Sequence, residues 1–300
     1  MPTDPNPEAP GNTHYMMDLL EEELEGPVKP YAKLAHNHEE LDAILKIRWP
    51  NPCYRVAVVH ALEGGHVLGG SLDPLAGFAR RGVALITISH VFNKGISSAP
   101  NCLPYFPDNN SREPNQGLSE FGEEVITKME ELGIIVDVTH TTSKSLKDVL
   151  CKAKRPLLAT HVSVRTLGDH PYSLLDEHIQ AIASKGGVVG IPIYPYMLSN
   201  YASADTAVKH GTLQEVVRTI RYLYKICGYN HKHIGIGSDF AGYVLQIKEM
   251  ACLGEIDKLR RALLKEFDND VCIVEDIMAN NVLEFFRTNW RSGLDQQEAQ

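Results

Sequence analysis

GIIVDVTH (Gly133–His140), TTSKSLKDVLCKAKR (Thr141–Arg155) and PLLATHVS (Pro156–Ser163) follow one another without a break. Two short, continuously apolar runs flank one segment of helical pattern, the signature of a βαβ unit with buried parallel strands. The first run ends at His140 and the second reaches His161. In an α/β barrel the C-terminal ends of the strands form the functional face, so both imidazoles are expected in one mouth. Two neutral imidazoles converging there point to a metal.

The same rhythm continues outward. Strand-like runs occur at Arg55–Gly65, Val83–His90, Gly133–His140, Pro156–Ser163, Gly187–Tyr194 and His233–Phe240. Helical segments separate them. Ser119 is placed to cap a helix ending at Gly133, and Ser173 with Asp176 opens one reaching Lys185. Thr212 with Glu215 forms a capping box before a helix to Gly228, and Glu255–Glu266 and Val274–Thr288 read as two closing helices. Near the start, HYMMDLLEEELEG is helical in character with Gly26 as C-cap, and Asn37 or His36 is placed to cap a run to Arg48. The alternation predicts an α/β fold with a parallel sheet. The expected architecture is a (β/α)8 TIM-barrel-like fold, incomplete at six recognisable strands and preceded by N-terminal helices. Residues 1–13 read as a flexible tail, 14–290 as a single metallohydrolase-like barrel domain and 291–300 as a polar tail. The strandless stretch Val91–Gln116 is long enough to cover a site.

At 300 residues and 43% hydrophobic, the chain can bury one large core. A net charge of -9 with no basic block argues against nucleic acid or an anionic membrane surface as partner. No secretory signal or membrane-spanning run is read in the sequence. The six cysteines are scattered without CxxC spacing, which fits reduced thiols in a cytoplasmic protein and disfavours a thiolate metal site.

Each strand-like run ends in a polar residue: Glu63, His90, His140, His161, Tyr194 and Asp239. One such residue is unremarkable, but the recurrence argues for a catalytic mouth. Glu63, His140 and His161 make an oxygen/nitrogen ligand set suited to zinc, or to manganese or iron with a further oxygen. A catalytic zinc keeps one position open for water and lowers its pKa to about 7. Asp239 then orients that water and takes its proton, and His90 hydrogen-bonds a substrate carbonyl or oxyanion. Taken singly, His140 reads first as a hydrogen-bonded core histidine, His90 also as a partner of a backbone carbonyl, and Tyr194 also as loop packing. His36 and His38 resemble a metal motif, yet they stand at a helix start and read as capping or surface residues.

Leu62–His66 (LEGGH), LITISHVFN, QGLSEFG, GIIVDVTH, LLATHVS and IGIGSDFAG occur in this order and at this spacing. Together they resemble the membrane (renal) dipeptidase family of the amidohydrolase superfamily, from about residue 50 to about residue 287. The resemblance implies a (β/α)8 barrel with a two-zinc centre that hydrolyses dipeptides. It implies that Glu63 bridges both metals, that His140 and His161 bind the second, that His90 contacts the substrate near the scissile carbonyl, and that Asp239 accepts a proton.

The chain also departs from that pattern. The family's His-x-Asp pair, which binds the first zinc, does not occur, and the first two barrel strands are missing. At the arginine that holds the substrate carboxylate, GDHPY places Tyr172, and Ala241 replaces a second aspartate. Three readings remain open: a one-metal enzyme hydrolysing a dipeptide or related small amide, a site completed by borrowed ligands such as His36 and His38, or a degenerate barrel serving as a binding or assembly module. The open edges of an incomplete sheet also invite pairing with a second copy.

Overall fold

The computed structural model describes residues 6–90, 95–100, 116–200, 206–207, 210–242 and 244–291. Most of Val91–Gln116, and the expected polar tail beyond residue 291, lie outside them. Eight short strands run in chain order: β1 (Ala32–Ala35), β2 (Val56–Val59), β3 (Ala61–Glu63), β4 (Leu85–Thr87), β5 (Ile135–Asp137), β6 (Leu158–Ala159), β7 (Val188–Ile191) and β8 (Ile234–Ile236). Strands β3 to β8 form one parallel sheet in sequence order, and β1 pairs in parallel with β2. All six expected runs contribute to the six-stranded sheet. The Arg55–Gly65 run divides at His60, pairing with β1 through its first half and with β4 through its second. Strand β1 is a further element that the six-strand reading lacks. Among the described residues no strand joins β8 to β1, so the barrel is not closed.

Alternation along the strands sorts side chains into an outer and an inner set. Ile86, Val136, Ala159 and Val189 point outward into the main core. There they meet helices α3 (Asp73–Arg80), α4 (Glu120–Glu131), α5 (Ser143–Lys152) and α6 (Asp176–Ser184). Leu85, Ile135, Leu158 and Val188 belong to a second cluster, which forms the lowest inner layer. Its floor comes from Leu41 and Ile44 of α2 (His38–Leu45), and from Phe285 with the buried Trp290 at the C-terminal helix. One step up each strand the layer turns polar, at Thr87, Asp137 and Thr160, with Gly190 beside them. Above that layer the strand ends open into the mouth.

Glycine makes this curvature achievable. A Cβ on Gly190 would stand 2.0 Å from the Thr160 carbonyl oxygen, and one on Gly237 only 1.7 Å from it. The end of β6 therefore packs against the backbone of both β7 and β8, which no side chain at those two positions would permit.

The helix ends follow the sequence in several places. Ser119 accepts from Gly122 N–H, Asn37 caps α2 by accepting from Glu40 N–H, and the Thr212/Glu215 capping box heads α8 (Leu213–Ile226). Elsewhere they differ. Helix α1 spans Ala9–Glu25, so it begins inside the segment read as a loose tail, with Pro10 in its first turn where no N–H is needed. Ser173 makes no cap, because α6 starts at Asp176 behind Leu175. A short α7 (Pro195–Leu198) follows β7, and α9 (Asp257–Glu266) begins two residues after Glu255. The last expected helix divides into α10 (Val271–Glu275), a π-helical turn (Asp276–Asn280) and α11 (Asn281–Asn289). Among the described residues no helix is long and apolar enough to cross a membrane, and Cys53, Cys151, Cys227, Cys252 and Cys272 are free thiols.

Replacing Gly237 by alanine should push the end of β6 away from β8, at a cost of about 2 kcal/mol or more for forced overpacking. Thermal unfolding checks this; an unchanged melting temperature would contradict the packing described.

Candidate metal centre

The polar strand ends come together over the layer of Thr87, Asp137 and Thr160. Glu63 closes β3, and the next residue, Gly64, has φ +106°, a turn geometry that other residues resist. Gly64 N–H donates to Thr87 carbonyl (3.1 Å), which ties this turn to β4. His140 follows β5 at φ +61° within a turn closed by Thr141 N–H to Val138 carbonyl. Ser89 Oγ donates to His140 carbonyl (2.9 Å) and fixes that turn from the neighbouring strand end. A left-handed conformation costs a non-glycine residue about 1–3 kcal/mol and gathers at functional sites. Asp239, three residues beyond β8, shares it at φ +56°.

Three atoms meet in the mouth. Glu63 Oε1 lies 3.1 Å from His140 Nε2 and 3.2 Å from His161 Nε2, and the two nitrogens are 3.1 Å apart. An ion held tetrahedrally at about 2.0–2.1 Å separates its ligand atoms by about 3.3–3.4 Å. The donor set and its spacing therefore fit a zinc-sized cation. His90 Nε2 stands 3.8 Å from the same carboxylate oxygen, and Glu63, His90 and His140 offer ligand atoms within 4.8 Å of one another. The His90 ring sits edge-on to His140, with centroids 4.7 Å apart.

Burial and charge pull these groups in different directions. Burial works to raise the Glu63 carboxyl, but hydrogen bonds from His140 and His161 and their charge hold it well below the usual carboxylate range. Burial lowers His140 and His90. His161 is raised despite its burial, by its contact with Glu63 and by the charges of Asp137, Glu63 and Asp239. Burial raises Asp239, the His161 charge opposes that, and the Glu63 charge adds to it.

The two tyrosines sit farther back. The Tyr172 ring packs edge-on against His140 at 4.3 Å and is almost buried. Tyr194 is also buried, 6.0 Å from Tyr196, which meets His170 at 5.0 Å. Burial, then the charges of His140 and Arg165, push His170 down to about 4, so its ring is neutral near neutral pH. Arg165 donates to the carbonyls of His170 and Pro171 and braces the loop behind the wall.

His36 and His38 are not brought to the mouth. Ala35 lies opposite Val59, which sets His36 level with His60, three residues and about 10 Å below Glu63. His36 Nδ1 meets Glu40 Oε2 at 3.0 Å and His38 Nδ1 meets Trp290 carbonyl at 3.0 Å. Borrowed ligation by this pair is corrected by the register of β1 on β2. Sequence reasoning also missed the inner polar layer. Its signal was Asp137, a charged residue interrupting the apolar GIIVDV run.

Comparison with known proteins bears on this geometry. Residues 28–298 match the family described as membrane dipeptidase (peptidase family M19). The chain belongs to that family. It is 28% identical over 237 residues to an uncharacterised dipeptidase of Schizosaccharomyces pombe, covering 78% of this chain and 53% of that protein. The chain thus spans about half the length of such a relative. Among solved structures it resembles a probable dipeptidase of Pseudomonas aeruginosa, with TM-score 0.79 and 22% identity over 95% of this chain and 81% of the other. It also resembles a metallo peptidase of Rhodobacter sphaeroides liganded with a phosphinate mimic of the dipeptide L-Ala-D-Ala. The TM-score is 0.76 and identity 20%, over 92% of this chain and 73% of that one. These likenesses agree with the (β/α)8-like fold of the membrane dipeptidase family.

A proton competes with a cation for each Nε2. Because His161 keeps its proton to a pH above the ordinary histidine value, affinity for a divalent cation should already weaken as pH falls through neutrality. The loss should approach about tenfold per pH unit for each proton displaced. Competition with a chromophoric chelator between about pH 8 and pH 6 measures it, and a flat profile would remove these imidazoles from the site.

Proposed function

We propose that this chain is a metal-dependent hydrolase of a dipeptide or related small amide. The observation that carries the reading is the meeting of Glu63 Oε1, His140 Nε2 and His161 Nε2 within 3.2 Å at three separate strand ends. Membership of the membrane dipeptidase family supports the reaction class. The dipeptide mimic bound by the Rhodobacter sphaeroides protein supports a small peptide as substrate.

Glu63, His140 and His161 would hold the ion, zinc by donor chemistry, with manganese or iron as alternatives. When bound, the ion would activate water and polarise the scissile carbonyl. Asp239, whose carboxyl burial raises toward the working range of a general base, takes a proton from the attacking water and returns it to the departing amine. His90, at the rim beside Glu63, donates to the oxygen on which negative charge develops. Tyr172 and Tyr194 form the wall against which the substrate side chain rests, Tyr172 also bracing the His140 ring. With no His-x-Asp pair in the sequence, one ion per chain is the expected load, against two in the family pattern.

Two further features complete the reading. The free thiols are in keeping with a reducing, cytoplasmic compartment. The unpaired edges of β1 and β8, with the exposed Tyr15, Met16, Leu19 and Leu20 on α1, favour a homo-oligomer, which the mass in solution tests.

Protein purified without chelator should carry about one equivalent of zinc, manganese or iron, and His161→Ala should carry less than about a tenth, since two remaining ligands hold the ion poorly. On a panel of L,L- and L,D-dipeptides, Asp239→Asn should retain the metal and lose turnover by about a hundredfold or more. Metal-free wild-type protein, or hydrolysis untouched by Asp239→Asn, would overturn the proposal.

A further inference from the structure

Asp137 is fully buried, and among the described residues no lysine or arginine forms an ion pair with it. Its carboxylate instead accepts five hydrogen bonds. Thr139 N–H (3.0 Å), Thr160 N–H (3.0 Å) and Thr139 Oγ1 (2.8 Å) donate to Oδ1. Thr87 Oγ1 (2.6 Å) and Thr160 Oγ1 (2.7 Å) donate to Oδ2. The two backbone N–H groups admit no other direction, and they mark Oδ1 as an acceptor. Thr160 Oγ1 also lies 2.9 Å from His161 Nδ1. A hydroxyl carries one proton, and Thr160 gives its proton to Asp137. Toward His161 it therefore offers only a lone pair.

We propose that Asp137 is a positioning residue that sets the tautomer of His161 through Thr160. With Thr160 reduced to an acceptor, Nδ1 must hold the ring proton, which leaves the Nε2 lone pair facing Glu63 and His140. This is the nitrogen that the proposed metal reading needs as a ligand, and the inference rests on that reading for its purpose. A ligand histidine commonly gives its second N–H to a carboxylate or carbonyl. Here a threonine stands between, and the same carboxylate also ties together the ends of β4, β5 and β6.

Asp137→Asn separates charge and hydrogen-bond direction from shape. Two backbone donors face the Oδ1 position, so the amide oxygen takes that place and the NH2 turns toward Thr87 and Thr160. The amide then donates to Thr160, whose freed proton points at His161 Nδ1 and moves the ring proton to Nε2. The second pair of variants is Thr160→Val, which breaks the relay, and Thr160→Ser, which keeps the hydroxyl.

Two measurements test the relay. Nitrogen-15 NMR of the His161 ring, on metal-free protein at a pH where the ring is neutral, should find the proton on Nδ1 in wild type and Thr160→Ser, and on Nε2 in Asp137→Asn. Zinc competition should show a loss of about ten- to a hundredfold in Asp137→Asn and Thr160→Val, with Thr160→Ser close to wild type. A wild-type ring protonated at Nε2, or Thr160→Val binding zinc as tightly as Thr160→Ser, would overturn the proposal. Should wild-type protein bind no metal, the hydrolase reading falls while the NMR result still decides the relay.

Discussion

A carboxylate buried without a cation is costly, and the interior of this barrel is arranged around offsetting that cost. At Asp137 that cost is met by hydroxyls and N–H groups from three strand ends, which turn inward to donate to its two oxygens. The donors from Thr87 and Thr160 also tie in the neighbouring strands β4 and β6. Thr87 lies directly opposite Asp137 in the β4–β5 register, and Glu63 lies opposite Thr87 in β3–β4. The row that secures the sheet therefore leads straight to the carboxylate at the mouth. Below it, Leu85, Ile135, Leu158 and Val188 keep the layer dry, and Phe285 and Trp290 close the bottom. Hydrogen bonds in such surroundings are stronger, and an unmatched group there is more costly, than in water.

The same arrangement leaves the barrel one-sided. His140 is buried, whereas the Glu63 side chain remains 47% exposed on β3, which among the described residues forms an edge of the six-stranded sheet. The left-handed backbone at His140 and Asp239 adds strain on opposite sides of the mouth. Aspartate and histidine enter that conformation more readily than most side chains, yet it still costs more than an ordinary turn. Both persist because the surroundings determine them: Ser89 grips His140 carbonyl, and Gln246 Nε2 donates to Asp239 carbonyl at 3.1 Å.

The parts of this design readable from sequence are those in which one residue type breaks a pattern at a strand end. GIIVDVTH and PLLATHVS each run apolar and then reach a histidine, and Glu63, His90 and Asp239 stand out for the same reason. Strand β1 was harder, because AKLA is four residues long, carries Lys33 in its middle and depends on tertiary pairing with β2. The start of α1 was hidden by Pro10 and Gly11, which a helix tolerates in its first turn but which in a sequence read as punctuation. The inner layer was hidden differently. Thr87, Thr139 and Thr160 are ordinary strand residues, and only the register reveals that all three face one aspartate. Periodicity gives the face that a side chain takes, but it cannot give the partner across the sheet.

The relay also bears on whether the three-atom cluster is a cation site or a set of hydrogen bonds. Glu63 Oε1 is an acceptor, and His140 Nε2 can supply at most one proton to it. If His161 carries its ring proton on Nδ1, its Nε2 lone pair faces the carboxylate oxygen at 3.2 Å and the His140 nitrogen at 3.1 Å. Two acceptors at that distance in a half-buried pocket repel. Either a second proton joins the ring, which is the direction in which Glu63 and Asp137 drive His161, or a cation occupies the gap. A cation satisfies all three lone pairs at once, whereas a proton on His161 Nε2 satisfies Glu63 and leaves the two nitrogens crowded. The buried aspartate, acting through Thr160, thus turns the His161 Nε2 lone pair toward two other ligand atoms, an arrangement that a bound cation would satisfy.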